Sequence, residues 1–197
     1  MPLSAVTALQ ALRDTGRVRA GQRVLVIGAA GGAGTFAVQL GKALGAHVTG
    51  VCSTTKTDLV RALGTDEVLD CTREDYADGS RRFDLVVDTA GNAPLARLRR
   101  ALTRRGTLVL DGEEGGGRWF GGTDRVLRAL LLSPFVGQRL CGLISAERGE
   151  DLESLKELIE AGGVTPVVDR AYRLSELPEA IRYLRESGAR GKVVVTM

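Results

Sequence analysis

The chain is poor in the residues that build metal centres and disulfide frameworks. It has three cysteines and one histidine in 197 residues. Cys52, Cys71 and Cys141 have no metal-ligand spacing and are odd in number, which argues against a disulfide scaffold and for a reducing, cytoplasmic setting. Aromatic residues are scarce at 4%. No apolar run approaches the length of a membrane span; the stretch at 129–132 with its neighbours is far too short. The first residues, Met1-Pro2-Leu3-Ser4-Ala5, lack the basic region and apolar run of a secretory signal. A net charge of +3 is too small to imply nucleic acid, and Arg97, Arg99, Arg100, Arg104 and Arg105 read as a solvated face. There are no repeats and no low-complexity linkers. The length suffices for one hydrophobic core without staples.

What is present is alternation. Apolar runs at 23–28, 47–52, 67–70, 83–88, 107–111 and 139–144 read as six strands. Helical patterns fall at 32–44, 57–63, 94–102 and 123–132. Continuous apolar strands alternating with helices predict an α/β fold, a doubly wound parallel sheet with both faces covered. Beyond it come a helix at 152–161, a strand at 167–172, a helix opened by Ser175 as N-cap, and a final strand at 192–196. A helix at 5–14 precedes the first strand and needs a packing partner.

The first strand runs into Gly28-Ala29-Ala30-Gly31-Gly32-Ala33-Gly34 and then a helix. A dinucleotide brings two negative phosphates. Glycines let backbone donors approach them, and a helix start adds free N–H groups and a favourable dipole. Strand before and helix after supply the context such a motif requires. Alanine stands where the first glycine of G-x-G-x-x-G is usual. NAD sites carry an acidic residue about 20 positions on, for the ribose hydroxyls. Here the second strand ends at Cys52 and continues Ser53-Thr54-Thr55-Lys56, with no carboxylate before Asp58. Ser53 and Lys56 therefore predict the 2′-phosphate of NADP, although the same segment could simply cap the next helix.

These residues resemble the medium-chain dehydrogenase/reductase superfamily, which includes the zinc-type alcohol dehydrogenases. The resemblance is carried by 21–26, by Gly31-Gly32-Ala33-Gly34, and by 39–46. It continues through 83–89, 105–109, Gly163-Val164-Thr165-Pro166-Val167 and Arg190-Gly191-Lys192-Val193-Val194. The A-x-G-G-x-G form is most similar to the quinone oxidoreductase branch. The resemblance implies a connecting helix over 1–20, an NADP-binding Rossmann domain over 21–147, and a segment at 148–197 that returns to a GroES-like catalytic domain. That catalytic domain would precede the chain. The expectation is the cofactor portion of a larger enzyme, either cut from a longer chain or the product of a shortened gene.

By the same resemblance, the full enzyme passes a hydride from NADP(H) to a quinone or enone, or acts on an alcohol or aldehyde. Ala30, Gly31, Gly32, Ala33 and Gly34 would meet the pyrophosphate; Ser53 and Lys56 would hold the adenosine phosphate. Thr89, Ala90, Gly91 and Gly112 would lie near ribose or nicotinamide at the carboxyl ends of the strands. The loop Gly115–Phe120 could close over the nicotinamide. Leu3 falls where zinc-dependent members place a cysteine ligand, and His47 reads as structural, so a zinc-independent chemistry is expected. No general acid or base can be nominated; Asp88 and Asp111 read as structural. The edge strand 139–144 is expected to pair with a second copy. A short-chain dehydrogenase is excluded, because Tyr76, Tyr172 and Tyr183 lack a lysine four residues on. The alternative that stays open is a non-catalytic NADP-binding module or redox-sensing subunit.

Overall fold

The computed structural model describes residues 2–111 and 123–197. Six parallel strands form one sheet: β1 (Arg23–Ile27), β2 (His47–Cys52), β3 (Glu67–Asp70), β4 (Phe83–Asp88), β5 (Leu102–Leu110) and β6 (Arg139–Gly142). Their order is β3-β2-β1-β4-β5-β6. The order reverses at β1 and β4, and such a switch point opens a crevice at the carboxyl ends of the strands. This is the α/β doubly wound sheet that the alternating pattern predicts.

Side chains of successive strand residues point to opposite faces, and both faces are covered here. Val24 and Val26 pack with Phe36, Val38 and Leu40 of α2 (Gly34–Ala43) and with Val6, Leu9 and Leu12 from the N-terminal helix. Leu25 and Ile27 face the other way, toward Phe83, Leu98, Leu108 and Leu140. Burial on two sides is why Val24–Ile27 of β1 and Leu85–Val87 of β4 are continuously apolar.

The N-terminal helix α1 (Pro2–Gln10) continues into a π-helical turn, Ala11–Thr15. Its packing partner is α2, together with α6 (Gly149–Glu160). One polar cluster fixes it. The carboxylate of Asp151, at the start of α6, is fully buried. It accepts hydrogen bonds from Gln10 Nε2 at 2.6 Å and Arg13 Nη2 at 2.5 Å. Burial opposes charge on Asp151, but these donors outweigh it and hold its pKa below the ordinary carboxylate value.

Several boundaries differ from the sequence expectation. The strand expected at 107–111 begins at Leu102, directly after α4 (Leu95–Ala101), because Leu102 pairs with Phe83 before a register shift. The edge strand stops at Gly142 rather than residue 144. Ser175 is not an N-cap. It lies inside a 3-10 turn, Leu174–Glu176, where Glu176 accepts the Arg173 N–H at 2.7 Å; α7 (Leu177–Ser187) follows with Pro178 in its first turn. β7 (Val168–Arg173) and β8 (Lys192–Thr196) form a separate two-stranded parallel sheet. The remaining helices are α3 (Thr57–Ala62) and α5 (Thr123–Leu132).

Candidate cofactor site

The glycine-rich turn is built by close approach. Gly28 has φ of +82°, and a Cβ there would stand 2.7 Å from Thr89 Oγ1. A Cβ on Gly34 would stand 2.0 Å from the Gly28 carbonyl oxygen, so α2 can start against β1 only with glycine at that position. Ala29 and Ala30 bury their methyl groups. The N–H groups of Gly28 and Ala29 both donate to Val51 O, tying the turn to β2. α2 makes its first turn with Thr35 N–H donating to Gly31 O. The N–H groups just before it are the donors that a helix start leaves without intrahelical partners.

The C-terminal segment crosses the same turn. Gly191 N–H donates to Ala30 O at 2.9 Å. The next residue, Lys192, lays its side chain over Gly32, and its Nζ donates to Ser4 Oγ. Burial pulls the Lys192 ammonium below its ordinary pKa. The result is a desolvated cation beside a glycine turn and a helix start, where a phosphate is favoured.

A cleft of about 610 Å³ opens along the carboxyl ends of β1, β2 and β4. It is lined by Ala30, Gly31, Ser53, Lys56, Thr89 and Ala90 among others. The structure thus brings six of the expected site residues around one space. Gly32, Ala33 and Gly34 lie beside it at the entry to α2. Gly91 is spent elsewhere: its N–H donates to the buried carboxylate of Asp88 at 3.2 Å. Gly112 and the loop Gly115–Phe120 lie outside the described residues. Lys56 reaches across to the C-terminal segment, with Nζ donating to Ala189 O at 3.2 Å.

Three features of the cleft were not singled out by sequence. Tyr76 is 3% exposed and lines it, and its hydroxyl has no hydrogen-bond partner among the described residues. Arg97 sits 4.6 Å from the Tyr76 ring centroid and is held from behind by Asp75, at 3.0 and 3.1 Å. Burial works against charge on Arg97, but Asp75, Tyr76 and Cys71 raise its pKa. Lys192 is the third, although it lies over Gly32 beside the cleft and does not line it. A Gly-Lys pair before a final strand is its only local signal, and nothing local links position 192 to position 32.

At the far end, Asp88 is fully buried and pairs with Arg125 of α5. Asp111, half-buried just after β5, has its pKa pushed up to about 6 by burial and by Asp88. Neither carboxylate lines the cleft.

Glycine cradle, switch-point crevice and half-buried lysine together define a dinucleotide-binding module. Residues 63–195 match the model of the zinc-binding dehydrogenases, and the chain belongs to that family, within the medium-chain dehydrogenase/reductase superfamily. It is 34% identical to the mitochondrial NAD(P)H oxidoreductase RTN4IP1 of Mus musculus, over all of this chain and 54% of that protein. It is 29% identical to the chloroplast envelope quinone oxidoreductase homolog of Arabidopsis thaliana, over 99% of this chain and 60% of that one. The quinone oxidoreductase of Coxiella burnetii superposes with a TM-score of 0.87 at 27% identity, over 100% of this chain and 59% of that chain. The chain spans about half the length of the curated relatives it matches.

The family's name carries zinc. Among the described residues no group of three His, Cys, Asp or Glu side chains is placed to hold a metal ion, and Leu3 offers no ligand atom. A nicotinamide dinucleotide does fit: the side-chain-free approach at Gly31 and Gly32, the donors at the start of α2 and the half-buried Lys192 ammonium are each what such a ligand would use.

Proposed function

We propose that this chain is the cofactor-binding portion of an NADPH-dependent, zinc-independent oxidoreductase acting on small quinones, enones, or alcohols and aldehydes. When bound, the nicotinamide would supply or accept a hydride; the protein's part is to hold and orient it. The observation that carries the reading is the meeting of Gly191 and Lys192 with the turn at 30–34. Backbone donors, a helix start and a cation converge there, as a pyrophosphate requires. Residues 1–20, 21–147 and 148–197 are read as connecting helix, cofactor domain and return segment. The exposed Leu177, Ile181 and Leu184 of α7 support the last of these, since that face needs a cover.

Ser53 and Lys56 are assigned to the 2′-phosphate, and the absence of a carboxylate at the end of β2 supports NADPH over NADH. Titration by nicotinamide fluorescence tests this. NADPH is expected to bind at least about tenfold more tightly, and Lys56→Ala to remove most of that preference, since a hydrogen bond to a charged group contributes about 1.5–3 kcal/mol. Tighter binding of NADH would overturn it. Three unbridged cysteines support a reducing, cytoplasmic setting. Among the described residues no helix is long and apolar enough to cross a membrane.

A second reading is a non-catalytic NADP-binding module or redox-sensing subunit. It is favoured by the cleft lining: among the described residues no Asp, Glu or His lines it. Turnover of a quinone or enone with NADPH by the purified chain excludes it; tight binding without turnover supports it.

A further inference from the structure

Two of the three cysteines stand in the cofactor cleft. Cys52 ends β2 and Cys71 follows β3; the Cys71 N–H donates to Cys52 O at 2.9 Å, and both line the cleft with Lys56, Tyr76 and Arg97. The two thiols are chemically unequal. Cys52 is 6% exposed, and its pKa is pushed up to about 11, chiefly by burial and then by the neighbouring Cys71. Cys71 is exposed to solvent. Cys141 lies on β6 and does not line the cleft. Thiol reactivity follows accessibility and thiolate character. Cys71 is open to reagents at the cleft wall, whereas burial pushes the Cys52 thiol toward its neutral form.

Tyr76 lines the same cleft. Its hydroxyl is buried and has no hydrogen-bond partner among the described residues, where buried polar groups ordinarily find one.

We infer that Cys71 is a covalent modification site for soft carbon electrophiles of the enone and quinone class, and that its adduct and the cofactor exclude one another. The inference rests on the reading of this cleft as the site of the cofactor's adenosine half. In the reaction the Cys71 sulfur forms a C–S bond to the β-carbon of the electrophile. The carbon–carbon π pair moves toward the carbonyl, and the α-carbon takes up the proton the thiol gives up. With a quinone, two ring protons, one from the β-carbon and one from the α-carbon, then move to the two carbonyl oxygens and leave a hydroquinone thioether. Both additions balance without an external oxidant or reductant. The same electrophiles proposed as hydride acceptors would thus inactivate protein that has lost its cofactor, and spare protein that holds it.

The test uses the purified chain, N-ethylmaleimide and 1,4-benzoquinone as reagents, and peptide mass mapping with NADPH titration as readouts. The first equivalent of reagent is expected on Cys71. Saturating NADPH should slow that labelling about tenfold or more, and the labelled protein should bind NADPH at least about tenfold more weakly. In Cys71→Ser the first equivalent is lost, and reagent should no longer change the affinity from that variant's own untreated value. Equal labelling with and without bound NADPH, first labelling at Cys52 or Cys141, or unchanged affinity after Cys71 is labelled would each overturn the inference while leaving the cofactor reading intact. Failure of the untreated chain to bind either NADPH or NADH would overturn the cofactor reading, and the inference with it.

Discussion

The side chain of Lys192 occupies the space above Gly32: a Cβ at position 32 would stand 2.6 Å from the lysine nitrogen. The two residues lie far apart in the chain, and the lysine lies against the glycine turn because position 32 has no side chain. Its ammonium is costly where it sits, since burial lowers its pKa.

Lys192→Met therefore separates binding from stability. NADPH affinity should fall roughly 10- to 100-fold, the equivalent of a charged hydrogen bond of about 1.5–3 kcal/mol. The empty protein should be equally or more stable. A lysine with a depressed folded pKa destabilises the fold below that pKa, and the loss is recovered only as pH rises toward the unfolded value. Gly32→Ala should reproduce the binding defect with little loss of stability, because the atom in its way is the end of a flexible chain. Thermal melts with and without NADPH check both, and parallel losses of melting temperature and affinity would refute the split.

Asp151 anchors the N-terminal helix. Removing the buried acceptor in Asp151→Ala leaves Gln10 and Arg13 without their partner. Breaking a buried pair costs about 3–5 kcal/mol. Arg13 can still turn to Asp14, 2.6 Å away, so a loss nearer the lower end is expected in urea unfolding. The pH dependence has a fixed sign. The folded pKa lies below the ordinary value, so this stabilisation is complete above the unfolded carboxylate pKa of about 3.9 and is lost as pH falls through the folded one. An Asp151→Ala deficit that stays constant into acid would contradict this account.

How much of this was legible in the sequence depends on range. β3, β4, α5 and β8 have the expected boundaries because turn residues bracket each apolar run. The glycine turn was readable because its signal spans a single strand–turn–helix unit. The start of β5 was hidden: Thr103, Arg104 and Arg105 break its apolar pattern, and only the pairing of Leu102 with Phe83 makes it a strand. Tyr76 looked like a failed catalytic tyrosine until the fold set it beside Arg97 in the cleft. The meeting of positions 192 and 32, like that of 151 and 13, is tertiary and leaves no local pattern to read.

Asp111 carries the opposite sign from Asp151. Its pKa is raised to about 6, so the fold keeps its proton longer than the unfolded chain does. Stability from this group is complete below the unfolded value and falls as pH rises through about 6. Asp111→Asn should then be more stable than the parent at pH 7.5, by about 1–2 kcal/mol. The advantage should vanish toward pH 4. Melting temperatures across that range decide the matter; an advantage that did not change with pH would point to packing instead of charge.

The sheet edge yields the last prediction. Among the described residues β6 pairs with β5 on one side and has no strand on the other, so its outer backbone groups are a template for another strand. Around it stand large apolar side chains without cover: Leu131 is 72% exposed on α5, and Phe135, in the turn leading to β6, is 85% exposed. An open edge flanked by such residues is an association surface or an aggregation hazard. The proposed pairing is with the same edge of a second copy, so that two sheets join across a two-fold axis. Light scattering at tens of micromolar should give twice the chain mass, and the double variant Leu131→Glu, Phe135→Glu should give the monomer with its melting temperature in the dilute limit unchanged. The wild-type chain running as a monomer at that concentration would refute the pairing. A dimer that survives both substitutions would move it to another face.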